Sequence, residues 1–128
     1  MAKYLSQEWL DLQRELAQDF PERPGATARM QYVVTGTPEG DVKYFTVIDN
    51  GVMQENTLGT DTGAEFTLST TYDDSVKILN GELDANAAFM QGRMKVSGNM
   101  GKLMSLMPLT QSAEYKAIQA QVAAKTEL

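Results

Sequence analysis

Apolar residues near the start of the chain recur every three or four positions. Leu5, Trp9, Leu12 and Leu16 form that stripe, which predicts a helix capped at Ser6 and stopped by Pro21 and Pro24. Leu10 lies off the stripe, so the helix is expected to bury more than one side. From Thr27 the period drops to two. Ala28, Met30, Tyr32 and Val34 share one face of a predicted strand, with Arg29, Gln31, Val33 and Thr35 on the other. The run Gly36-Thr37-Pro38-Glu39-Gly40 reads as a turn, because proline presets one backbone angle and glycine accepts the left-handed one. Residues 42–48 give a second strand, Asp49-Asn50-Gly51 a hairpin turn of the primed type, and residues 52–58 and 64–70 two more strands. Three consecutive turn-linked runs predict an antiparallel meander.

The second half of the chain changes period again. Thr70 or Thr71 caps a short helix with Asp73 and Asp74 at its positive end, Tyr72, Val76 and Leu79 along its apolar stripe, and Gly81 closing it. Another short helix starts at Asp84 and runs through Phe89 and Met90. Residues 92–97 form a last strand, with Met94 and Val96 inward and Arg93, Lys95 and Ser97 outward. Asn99 caps a helix from Met100 that Pro108 is expected to end. From Ser112 to about Lys125 a weakly amphipathic helix carries Tyr115, Ile118 and Val122. Strands, then helices, then a returning strand predict an α+β domain occupying residues 1–128 as one unit, with one sheet face covered by helices and the other open to water.

Composition narrows the chemistry. The 128 residues include no cysteine and no histidine. A disulfide framework, the usual zinc, haem and iron–sulfur ligation, and a Ser–His–Asp triad are thereby excluded. No catalytic residue, metal or cofactor is assigned. Carboxylate or Ser–Lys chemistry is the weakest reading. Asp61, Glu65, Asp73, Asp74, Glu82 and Asp84 lack the loop spacing of a calcium site and read as solvated loops and caps. No apolar run approaches the roughly 18 residues needed to span a bilayer, and the N-terminus has no signal-peptide pattern, so a cytoplasmic protein is expected.

The net charge of −6 argues against a nucleic-acid partner. It is unevenly spread: net −1 over residues 1–38, −8 over 39–84 and +3 over 85–128. A solvated surface explains this pattern, and so does a positive C-terminal third that meets anionic lipid headgroups transiently.

Five of the eight methionines fall between residues 90 and 107, and Met100, Leu103, Met104 and Met107 sit at helical spacing. Such a stripe serves as ordinary core or as a deformable wall around a variable apolar guest, since the thioether chain re-packs readily. An empty void of about 400 Å³ would cost on the order of 10 kcal/mol at roughly 24 cal/mol per Å³, so a pocket of ligand size has to be filled, opened to water or closed by mobile side chains.

The run Leu79-Asn80-Gly81-Glu82-Leu83-Asp84, followed by Ala88-Phe89-Met90-Gln91-Gly92-Arg93-Met94-Lys95-Val96-Ser97-Gly98-Asn99-Met100, resembles the signature of the sterol carrier protein type-2 family. The resemblance covers about a quarter of the chain. It implies a five-stranded, mainly antiparallel sheet with helices on one face, a hydrophobic tunnel, and binding of a sterol, fatty acid, fatty acyl-CoA or similar lipid without a cofactor. Read as residues, Phe89, Met90 and Met94 are the first candidates to line the cavity. Leu103, Met104, Met107, Ile118 and Val122 are candidates for a helical wall and lid, with Met100 beginning the same stripe. Gln91 offers an amide to the polar end of the tunnel or a structural hydrogen bond. Gly92, Gly98 and Gly101 suit close backbone approaches, positive φ or plain turns. The competing reading is an accessory module whose apolar groove docks a helix of a lipid-metabolising partner enzyme.

Overall fold

The computed structural model describes residues 2–19, 22–110 and 112–128, with the side chains of residues 19, 85, 86, 107 and 110 outside the described set. Strand β1 (Ala2–Lys3) leads into helix α1 (Gln7–Leu16), which Ser6 caps by accepting the Trp9 amide; a short 3-10 turn, Ala17–Asp19, follows. Trp9 and Leu10 are both buried, so α1 does bury two adjacent sides. Of the two prolines expected to stop it, Pro21 lies outside the described residues, and the helix has already ended at Leu16.

Strands β2 (Ala28–Thr37), β3 (Gly40–Asp49) and β4 (Val52–Leu58) form the meander, and β5 (Phe66–Thr71) follows. The first hairpin is tighter than expected. Thr37 pairs with Gly40, leaving only residues 38 and 39 between the strands, and a register shift between Val34 and Thr37 absorbs the excess. The second turn is of the primed type expected, with φ of 50° at Asn50 and 86° at Gly51. Strand β5 does not extend the meander. It crosses back to pair parallel with β2, and β6 (Met94–Gly98) adds antiparallel to it, giving the order β4-β3-β2-β5-β6.

Helix α2 (Tyr72–Leu79) is capped by Thr71 and α3 (Ala85–Met90) by Asp84. Helix α4 (Met100–Thr110) contains Pro108 instead of ending at it. Proline removes its own amide donor and its ring crowds the carbonyl four residues earlier, but so close to the C-terminus only one turn is affected and two more residues still complete the helix. Helix α5 (Ala113–Ala124) is capped by Ser112, and strand β7 (Thr126–Glu127) closes the chain by pairing parallel with β1.

Alternation along the strands fixes the sheet faces. Ala28, Met30, Tyr32 and Val34 of β2 stand opposite Ile48, Thr46, Tyr44 and Val42 of β3, and this face carries α1, α2, α4 and α5, while α3 packs against β6. Helix α1 is keyed to edge strand β4 by a buried polar group. Asn56 accepts from the Thr46 hydroxyl at 2.8 Å and donates to the Leu10 carbonyl at 3.0 Å.

The opposite face is largely open to water as expected, with Arg29, Lys43, Glu55 and Lys95 exposed, but around Gln31 it is covered. The segment 59–65, which carries the chain from β4 to β5, lies against it. Gln31 is buried there, its amide donating to the Tyr44 and Gly59 carbonyls and its oxygen accepting the Asp61 amide at 2.8 Å. Arg29, two residues earlier on the same face, holds the Asp61 carboxylate at 3.0 Å. A parallel return across two strands has to cover one face, and here it takes the face without helices.

Candidate functional site

The apolar interior is divided. One cluster gathers Ala26, Ala28, Met30, Ile48, Phe66, Leu68, Leu106 and Leu109 under α4. The other gathers Ala2, Leu5, Trp9, Leu10, Val34 and Val122 between α1, α5 and the two terminal strands. The seam between them runs over β2 and β3. There the rings of Tyr32 and Tyr44 stack as cross-strand partners, centroids 4.7 Å apart and 9° from parallel. Tyr32 packs against the first cluster and Tyr44 against the second, where its ring meets Trp9 edge-on at 6.0 Å. Both tyrosines stand on central strands under helices, yet both are only half-buried. Tyr115 of α5, also half-buried, packs against the first cluster.

Desolvation dominates the chemistry of these phenols. Burial pushes Tyr32, Tyr44 and Tyr115 above the usual tyrosine range, and for Tyr44 the neighbouring phenols Tyr32, Tyr4 and Tyr115 add to the rise. Tyr4 is pushed up to about 12, with Ser75 within hydrogen-bonding reach pulling the other way. The Tyr32 hydroxyl lies 3.1 Å from the Met30 sulfur, a weak acceptor, and Gln119 bonds the Tyr115 phenol.

The ten residues singled out from sequence do not form one lining. Met94 and Leu103 are half-buried against the first cluster; Val122 is buried in the second and Ile118 packs on it. Phe89, Met90, Met100 and Met104 face outward, 40%, 84%, 41% and 61% exposed, and Gln91 is exposed beside them. Met107 lies in α4, but its side chain is outside the described residues. The face that α4 buries carries Leu103, Leu106 and Leu109, and of the described side chains in the predicted stripe Leu103 lies on it while Met100 and Met104 do not. Both stripes have helical spacing, so periodicity alone could not choose between them.

The tyrosines were the residues missed as a group. Alternation already put Tyr32 on one face of β2 with Ala28, Met30 and Val34, the face that the structure turns inward. Its opposition to Tyr44 depends on the two-residue hairpin and the shift before it. Two surface clefts lie elsewhere and contain none of the ten residues. One of about 590 Å³ is lined by Gln7, Glu8, Asp11, Leu12, Glu15 and neighbours, the other of about 430 Å³ by Tyr72, Asp73, Val76, Lys77, Asn80, Glu82 and Leu128. Among the described residues no group of three or more metal-ligating side chains comes together, and no helix is long and apolar enough to cross a membrane.

A five-stranded, mostly antiparallel sheet with helices packed on it is an α+β architecture that matches the sterol carrier protein 2 fold. The chain belongs to the SCP-2 sterol transfer family, whose model matches residues 14–111. Among solved structures it is similar to a sterol carrier protein 2 at a TM-score of 0.71, with 14% identity over 98% of this chain and all of that one. It is also similar to sterol carrier protein 2 like 2 from Aedes aegypti, with a TM-score of 0.59 and 15% identity over 75% of this chain and 86% of that one. A curated relative, peroxisomal multifunctional enzyme A of Dictyostelium discoideum, is 38% identical over 53 residues; the match takes in 41% of this chain and 12% of that protein.

Proposed function

We propose that residues 1–128 act as one non-catalytic lipid-binding unit that shelters the hydrocarbon part of a sterol, fatty acid, fatty acyl-CoA or similar lipid and passes it on in the cytoplasm. The observation that carries this reading is the half-buried state of Tyr32 and Tyr44 on strands that helices cover. An interior that packed shut would bury these rings, the largest side chains on those two strands' inner face. The seam between the clusters is the place proposed for the ligand, walled by Met94, Leu103, Ile118 and the three tyrosines. Membership in a lipid-transfer family supports the same reading.

Extraction and mass spectrometry of purified protein test it. Reproducible co-purified lipid, and a rise in melting temperature when delipidated protein is given a long-chain lipid, are the expected results. Lipid-free protein that no aliphatic compound stabilises would end the proposal. The outward-facing Met90 and Met104 favour a second reading, in which they dock an apolar helix of a lipid-metabolising enzyme. Protein stabilised by such a polypeptide and not by lipid is its signature.

A further inference from the structure

We infer that the turn joining α3 to β6 is a membrane-docking tip, in which Phe89 and Met90 enter the interface of an anionic bilayer while Arg93 and Lys95 meet its phosphates. The inference does not depend on what the seam holds, because it concerns how the protein meets a surface.

The local sequence builds the tip rigidly. Ala88 is buried and fixes α3 against the body of the protein. Gly92, at a φ of 76°, then reverses the chain. Its amide donates to the Phe89 carbonyl at 3.2 Å, and that of Arg93 to the Ala88 carbonyl at 2.9 Å, the paired bonding that ends a helix at a glycine. The position after such a glycine commonly packs an apolar side chain back onto the helix. Here it is Arg93, which is exposed, and the apolar side chains of Phe89 and Met90 stand out in the same turn. Two apolar groups and a cation thus leave one hydrogen-bonded turn, with exposed Lys95 two residues further on.

Charge selects the occupant. Neither Arg93 nor Lys95 has an ion-pair partner among the described residues. An apolar helix laid on Met90 would leave both cations without a role, whereas an anionic interface takes the apolar and the basic groups together. The opposite edge of the sheet is ill suited to such a surface. There α1 packs on β4 and exposes Glu8, Asp11 and Glu15 against the single cation Arg14. Met94, next after Arg93, packs against the first cluster, so a docked tip brings one wall of the seam to the bilayer.

The chain has no cysteine, so Met90→Cys allows an environment-sensitive dye to be placed at the tip alone. Glu8→Cys carries the same dye on α1, and melting curves establish that each variant is folded. With vesicles of phosphatidylcholine containing about 30% phosphatidylserine, the dye at position 90 is expected to brighten and shift to the blue, and the dye at position 8 to stay unchanged. In unlabelled protein, Met90→Gln is expected to weaken co-sedimentation with those vesicles about three- to tenfold. Arg93→Gln combined with Lys95→Gln should weaken it about tenfold or more at low salt and less at high salt. No response at position 90, an equal response to vesicles of phosphatidylcholine alone, or unchanged co-sedimentation of both unlabelled variants would overturn the tip. A dye at position 90 that stays dark with anionic vesicles and brightens with an apolar-faced helical peptide would overturn it in favour of a polypeptide partner. Each of these outcomes leaves the mass-spectrometric test of lipid in the seam untouched.

Discussion

Gly98 and Glu65 approach each other backbone to backbone: a Cβ on Gly98 would lie 2.6 Å from the Glu65 carbonyl oxygen and 2.8 Å from the Phe66 Cα. The next residue, Asn99, donates its amide to that same oxygen at 2.8 Å, and Gly98 holds a φ of 110°. The obstruction is main chain, so no rotamer change relieves it. Gly98→Ala is therefore expected to destabilise by at least about 2 kcal/mol, read as a lowered denaturation midpoint. A variant as stable as the parent would mean that β5 and β6 are less closely joined than described.

The two stripes of α4 give the next prediction. Leu106 is buried and Met104 points outward. Leu106→Ala should cost about 2–5 kcal/mol, whereas Met104→Gln should stay within about 0.5 kcal/mol of the parent in the ligand-free protein. Equal losses at the two sites would show that the methionine face is packed in solution.

Acid stability should depend on Asp61. The hydrogen bond from Arg29, with a second from the Gly63 amide, holds its carboxyl below the usual range. A carboxyl depressed in the folded state stabilises fully above its unfolded value near 3.9, and that contribution fades as pH falls through the folded value. Asp61→Asn should lower stability at neutral pH and flatten the acid limb of a stability–pH curve. An unchanged acid limb would contradict this.

Alkaline behaviour has the opposite sign. The phenol of Tyr4 is raised to about 12, above its unfolded value near 10, chiefly by burial. Its contribution is complete below about pH 10 and disappears as pH rises through about 12. Tyr4, Tyr32, Tyr44 and Tyr115 are all raised, so their tyrosinate absorbance should appear together with loss of secondary structure. Normal titration of these four in a still-folded chain would sink the prediction.

Transfer to a membrane tests the basic C-terminal third. Lys102 is engaged with Glu65 and the Thr27 carbonyl, whereas Arg93, just before β6, and Lys95, within it, are exposed charges close together on that edge of the sheet. Neutralising both should slow ligand delivery to anionic vesicles at low salt, and the difference should shrink at high salt. Equal rates at low salt would dismiss a role for these charges.

Much of the architecture was legible because local chemistry and global fold agree. Ser6, Thr71, Asp84, Asn99 and Ser112 each receive an amide from the first turn of a following helix, as their side chains predict. Asn50-Gly51 takes the positive φ values its hairpin requires. Non-local relationships were harder to read. Nothing in the run from Phe66 to Thr71 reveals that it pairs parallel with β2, and two-residue strands such as β1 and β7 carry no period at all. The candidate site was legible only as a region. Methionine density drew attention to α4, whereas the half-buried aromatic seam depends on strand register, which one shifted residue in the first hairpin decides.

The pairing of β1 with β7 sets how the molecule would bear tension. Ala2 donates to the Lys125 carbonyl at 2.9 Å and Tyr4 to that of Glu127 at 2.8 Å, and the two strands run in the same direction. A pull applied through opposite ends of the polypeptide would slide one strand along the other, loading both bonds at once in shear instead of peeling them open in turn. Trp9, whose indole nitrogen donates to the Thr126 hydroxyl at 3.1 Å, acts as a peg across that clasp.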